Sequence, residues 1–219
     1  MNAIPFRPRR ELAPLTFSIG ARVDLRMGAL ATAVVRPRGA PEKAFAFSSL
    51  TRVLRAARMI WFKRGYEPAL TLAVPAHIQN RLKADLLSEA AFDAGATRRS
   101  LSFELSERAI IAAGPALAEG LRARGWSVVL RGDSDCPLPF GVRARTLYSE
   151  VVMDAPARPD PFRARQSRNR TPLGRRLLAA KEAGLILTVE TVATAAQARA
   201  LGIAGFDRAG GPFAEAELR

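Results

Sequence analysis

The 219 residues include one cysteine and one histidine, and both scarcities narrow the chemistry. Cys136 alone forms neither an intrachain disulfide nor a thiolate cluster, and a cytoplasmic protein is the simplest expectation. With His77 as the only imidazole, most zinc sites and most histidine-based catalysis drop out. Metal chemistry would have to use oxygen ligands, which suit Mg²⁺, Mn²⁺ or Ca²⁺. No apolar run approaches the ~18–20 residues of a membrane span. The N-terminal stretch MNAIPFRPRRELAP is basic without a following apolar segment, unlike a secretory signal. Neither G-x-G-x-x-G nor G-x-x-x-x-G-K-[ST] occurs, which argues against ordinary dinucleotide and NTP sites.

What is abundant is arginine. Of 34 basic residues only four are lysines (43, 63, 83 and 181), and the formal net charge is +14. Such a charge suits an anionic partner, whether nucleic acid, nucleotide, acidic protein or lipid. An Arg- and Ala-rich composition is equally what a GC-rich coding sequence produces. The segment RARQSRNR (163–170) concentrates four arginines but has no interleaved aromatics. It reads as a solvated loop, and nucleic-acid binding is disfavoured.

The hydrophobic pattern alternates between two periods. LTFSIGARVDLRMGALATAVVRP reads as two strands with a turn near Met27-Gly28. From Leu50 the period is helical: Leu50, Val53, Leu54 and Ala57 share one face, and Arg52, Arg55, Arg58 and Lys63 form a solvated row elsewhere. ALTLAV (69–74) reads as a strand, Ile78 to Phe92 as a helix, and LSFEL as a strand. Pro115–Arg124 then reads as helix, WSVVL and LYSEVVM as strands, and residues 154–172 as a loop. RRLLAAKEA is helical, LILTV a strand, TAAQARAL helical and GIAGFD a last short strand. Strands alternating with helices predict successive βα units around a parallel sheet: an α/β fold, best met by a (β/α)8 TIM-type barrel. Residues 1–14 form a basic N-terminal segment and 15–219 one barrel domain.

The order of the motifs resembles the EAL domain, the cyclic di-GMP phosphodiesterase module of bacterial signalling. LSFELSER resembles its L-x-x-E-[IL]-[TS]-E strand end. ALAEGLRARGWSVVLRGDSD resembles the stretch leading into D-D-F-G. LILTVETVATAAQARALG resembles the E-G-V-E-T segment, and VDLRMGAL the turn before the motif that names the family. The likeness spans about residues 15–213. It implies an EAL-like barrel, modified or shortened near its first helix because the chain is short before Leu50. Incomplete closure would expose an apolar face for a partner or a second copy.

The family's chemistry needs oxygen ligands at the strand ends, holding two divalent cations that activate water. No Asp or Glu lies between Asp24 and Glu42, so the ligand of the naming motif is missing. By the resemblance, other ligand positions fall at Ala73, Arg131-Gly132, Thr146, Tyr148 and Leu187, and only Glu104 survives. One carboxylate cannot hold a two-metal centre, and an arginine there repels cations by roughly 4 kcal/mol per charge pair at ~4 Å. The expectation is therefore no catalytic residues, no metal and no resident cofactor. Glu104, Arg36, Arg38, Arg131 and Glu190 are residual ligand-site candidates, with Glu104 paired to Arg131. Glu107 reads as a first-turn residue favoured by the helix dipole. Two functions stay open: a non-catalytic module acting through a protein partner or as a homodimer, or a receptor that binds cyclic di-GMP without cleaving it through Arg36 or Arg38.

Overall fold

A computed structural model describes residues 16–38, 47–63, 69–132, 143–154 and 172–217. The N-terminal segment 1–14, the shortened stretch before Leu50, Cys136 and the RARQSRNR segment lie outside the described residues. Eight strands form a closed barrel in sequential order. They are β1 (Thr16–Asp24), β2 (Leu30–Arg38), β3 (Ala69–Ala73), β4 (Leu101–Ser106), β5 (Ser127–Arg131), β6 (Glu150–Asp154), β7 (Ile186–Glu190) and β8 (Arg208–Gly210).

β1 and β2 make an antiparallel hairpin, and from β2 to β8 every pairing is parallel. The hairpin turn is built from its sequence. The Asp24 carboxylate accepts from the Arg26 and Met27 amides, and Gly28 takes the positive φ of 65° that a side chain would resist. β1 also pairs antiparallel with β8, through Arg22–Gly210 and Val23–Ala209. The open face expected from the shortened N-terminal region is therefore not formed, because the long β1 borders β2 on one side and β8 on the other.

The helices are α1 (Phe47–Phe62), α2 (Ala84–Asp93), α3 (Glu107–Ala113), α4 (Ala116–Ala123), α5 (Ala144–Leu147), α6 (Pro172–Glu182), α7 (Ala195–Ala204) and α8 (Pro212–Glu217). Leu147 ends α5, so the strand read over LYSEVVM begins only at Glu150, and two further stretches differ from expectation. The helix read over Ile78–Phe92 is split into a 3-10 turn, Ala76–Arg81, and α2, because Leu82 is extended (ψ 141°) and packs on the core. The GIAGFD stretch is not a strand. Its first residues finish α7, Gly205 caps that helix in the left-handed conformation, and the strand begins only at Arg208.

Alternation along the strands sorts two faces. Leu70, Leu72, Leu101, Phe103, Leu105, Val128, Leu130, Val151, Met153, Leu187 and Val189 are buried in one core cluster between barrel and helices. Trp126 anchors that layer, tilted against Phe92 at 5.0 Å and edge-on to Phe103 at 5.6 Å, with its indole N–H on Ser88 Oγ. The alternate positions point into the barrel, and there hydroxyls and charges stand beside the buried Val34, Val129 and Val152. Thr32, Thr71 and Ser102 join hydroxyl to hydroxyl across β2, β3 and β4. Barrel interiors are ordinarily filled by bulky branched side chains; here Val34, Val129 and Val152 share the interior with hydroxyls and charges.

Candidate functional site: a charged barrel interior

Arg22, on β1, has no exposed surface. Its guanidinium meets carboxylates from three strands, none of them a neighbour of β1, so they can meet it only through the barrel interior. Nε and Nη2 donate to Glu190 Oε1 at 3.0 and 2.6 Å, Nη2 donates to Glu104 Oε2, and Nη1 reaches Glu150 Oε1 at 3.4 Å. Around this centre lie three further arginines. Arg36 Nη2 donates to Glu190 Oε2 at 2.6 Å. Arg131 donates to Glu190 Oε2 at 2.6 Å and to Asp154 Oδ1 at 2.8 Å. Arg208 donates to Glu150 Oε2 at 2.8 Å, and Thr188 Oγ1 completes the Glu150 shell at 2.7 Å.

The constellation thus sets four guanidiniums (Arg22, Arg36, Arg131, Arg208) against four carboxylates (Glu104, Glu150, Glu190, Asp154). It neutralises itself. Glu190 is the most heavily shared acceptor. Burial opposes its ionisation, but Arg22, Arg36 and Arg131 outweigh that and hold its carboxyl down to about 2. Burial likewise works against the charge on Arg22, and the surrounding Glu104, Glu150 and Glu190 more than compensate, pushing its pKa above the ordinary arginine value. Arg131 is shifted upward for the same reasons, burial being outweighed by Glu190 and Glu104.

A titration follows from Glu190. Its carboxyl is depressed in the folded state, so its stabilisation is complete above the unfolded value of about 4.5 and is lost as pH falls towards 2. Acidification across that window is expected to remove on the order of 3 kcal/mol. Urea midpoints measured through it, in wild type and in Glu190→Gln, check this: the variant should be less stable at neutral pH and flatter below 4.5.

Of the residues singled out from sequence, the structure brings together Glu104, Arg36, Arg131 and Glu190; the Arg38 side chain lies outside the described residues. The Glu104–Arg131 pair exists, but at 3.5 Å and as a secondary contact. The chief partner of Glu104 is Arg22. Arg22, Glu150, Asp154 and Arg208 were not singled out, although a signal was present: LSFELS, SVVLR and EVVMD each place polar side chains at alternate positions. Glu107 is more than a first-turn residue. It is 2 % exposed and ion-paired with Arg176 of α6, Oε1 accepting from Nη1 at 2.9 Å.

At the C-terminal ends of β4, β5 and β6 lies a small cleft of about 200 Å³, lined by Ser106, Glu107, Arg108, Arg131, Gly132 and Asp154. Arg36 and Arg131 each leave about a third of their side chains exposed (34 % and 33 %). Among the described residues, no group of three or more His, Cys, Asp or Glu side chains is arranged to hold a metal ion. The acidic side chains surround a guanidinium instead. No helix among those residues is long and apolar enough to cross a membrane.

A closed α/β barrel in which one strand, β1, runs antiparallel to both its neighbours, with a charged interior at the strand ends, defines a class, and the chain has the EAL-domain fold. The PaMucR phosphodiesterase, in its c-di-GMP complex, superposes with a TM-score of 0.68 at 16 % identity, covering 90 % of this chain and 93 % of that one. Klebsiella pneumoniae BlrP1, in a calcium and cyclic di-GMP complex, gives 0.66 at 13 % identity over 94 % of this chain, which spans only 56 % of BlrP1. The EAL domain of Mycobacterium smegmatis DcpA gives 0.63 at 20 % identity, covering 90 % and 88 %. No protein-family model and no curated protein matches the sequence.

Proposed function

We propose that this chain is a non-hydrolysing EAL-fold module that acts through protein contacts in a signalling pathway. The observation that carries the reading is Arg22. A resident guanidinium occupies the centre of the carboxylates that a cation would need, and Glu104, Glu150 and Glu190 are already committed to it. A divalent ion brought within ~4 Å of one of these arginines would meet about 8 kcal/mol of repulsion at an effective dielectric of 20. Val34 on β2 and Ala73 on β3 contribute no oxygen ligand to offset it.

A second reading, a receptor that binds cyclic di-GMP intact, draws on the partly exposed Arg36 and Arg131 at the barrel mouth. Two facts weigh against it. Both guanidiniums are neutralised by Glu190 or Asp154, and the cleft that Arg131 lines is below the ~300–1,000 Å³ of ordinary ligand sites. One experiment separates the two: calorimetric titration with cyclic di-GMP, with and without Mg²⁺ or Mn²⁺, followed by chromatography for the linear product. The expected result is no linear product and no heat tighter than millimolar. Micromolar binding without cleavage supports the receptor. Appearance of the linear product overturns both.

A further inference from the structure

The helix α1, residues 47–62, carries its buried residues Leu50, Val53, Leu54 and Ala57 on one side. On the opposite side, Arg52, Arg55, Met59, Phe62 and the adjoining Lys63 fall within about 100° of one another at helical spacing. All five are exposed, Met59 by 53 % and Phe62 by 62 %. The helix contains no Asp or Glu. Arg55 and Arg58 turn sideways onto the end of α2, to the carbonyls of Asp93, Ala94 and Gly95, which fixes the helix and holds its cations at the rim. Arg52 and Lys63 have no carboxylate partner among the described residues.

We infer that this face is a docking surface for an acidic amphipathic helix of a protein partner. Met59 and Phe62 meet its apolar side chains, and Arg52 and Lys63 meet its carboxylates, Arg55 being paired with Asp93 at 3.4 Å. The inference rests on the protein-contact reading above and is independent of whether hydrolysis is lost. Charge complementarity chooses the occupant. A second copy would bring the same arginines against themselves in an isologous contact, which repels. A bilayer requires a broad apolar face for insertion, and the main apolar stripe of α1 is packed against the outer wall of the barrel. Met59 and Phe62, with the exposed Ile60 beside them and cations around them, match the i, i+3, i+4 anchors of a helix with acidic flanks.

The test uses the full chain, ¹⁵N-labelled, titrated with a short synthetic helix bearing Leu on one face and Glu on the other. Polyglutamate and vesicles of equal phosphatidylglycerol and phosphatidylcholine serve as comparison probes. Amide shifts confined to α1 and its neighbours, weakened about tenfold by Met59→Ser with Phe62→Ser and reduced by salt, are the expected result. Both residues are exposed, so an unchanged Tm verifies that the double variant is folded. Equal binding of polyglutamate, indifference to the double variant, or binding to vesicles alone overturns the inference. Shifts on another face also overturn it while leaving the protein-contact reading standing. Shifts nowhere with any probe remove both.

Discussion

Replacing Arg22 with methionine is expected to destabilise the protein by about 3–5 kcal/mol, the range for removing one partner from a buried ion cluster. The residue is fully buried and is the shared donor to Glu104, Glu150 and Glu190. Methionine fills much of the volume, so the loss is electrostatic: three carboxylates remain in the barrel with only the outer arginines to answer them. The cost is therefore expected to depend on pH in a particular sense. In the variant Glu190 loses the largest of the charges that hold its carboxyl down, while Arg36 and Arg131 remain. Its carboxyl is then less depressed, and the variant loses less stability as pH falls. The wild type loses more, because Glu190 is held near 2. The two stability curves, from urea unfolding between neutral pH and about 3, should converge on the acid side. Parallel curves would show that Arg22 acts by packing alone. Arg22→Lys should fall in between, since one ammonium cannot present a planar set of donors to carboxylates on three strands.

Gly132→Ala is expected to cost a similar amount, about 3–5 kcal/mol, although it adds only a methyl group. A Cβ at Gly132 would overlap Arg176 Nη2 and Glu107 Oε2, the charged ends of the second buried pair. Neither is the free end of an exposed chain: the Glu107 and Arg176 side chains are 2 % and 0 % accessible. The methyl must therefore part the pair or displace the end of β5. Since Arg176 ties α6 to the first turn of α3, the expected signature is a lowered Tm together with faster amide exchange along residues 174–182. If Tm fell but exchange in α6 stayed at its wild-type rate, the pair would not be what holds that helix. The neighbouring Tyr148 hydroxyl is buried with no partner among the described residues. Burial, with Glu107 and then Glu119 nearby, pushes its pKa up.

The strands and most helices were legible from periodicity, and the hairpin from Asp24 and Gly28. The chemistry of the interior was legible only in part. That a buried Glu104 needs an arginine followed from desolvation alone, but the sequence pointed to Arg131 because β5 borders β4. Arg22 could not be chosen this way, since its partners lie across the barrel and depend on how β1 registers with β8. A polar residue at every second strand position ordinarily suggests a solvated face. In a barrel wrapped by helices that inference reverses: the apolar face turns outward to meet the helices, and Ser102, Glu104, Glu150 and Thr188 turn inward. The α7–β8 boundary was misplaced because Gly202 and Gly205 look alike in sequence, yet only Gly205 is the left-handed cap.

The pairing of β1 with β8 has a consequence for the order of events during synthesis. Of the eight strands, the one made first borders the one made last, and Arg22, already paired with Thr32 in the hairpin, gains its second neighbour only at Gly210. Until then its guanidinium stays hydrated, and Glu104, Glu150 and Glu190 emerge one after another with no central counterion. Contacts this distant in the chain make folding slow and leave incomplete chains with an unpaired strand edge. A nascent chain arrested before Arg208 should therefore hold its outer helices loosely around an open, water-filled sheet, and the interior should lock only as the final strand arrives.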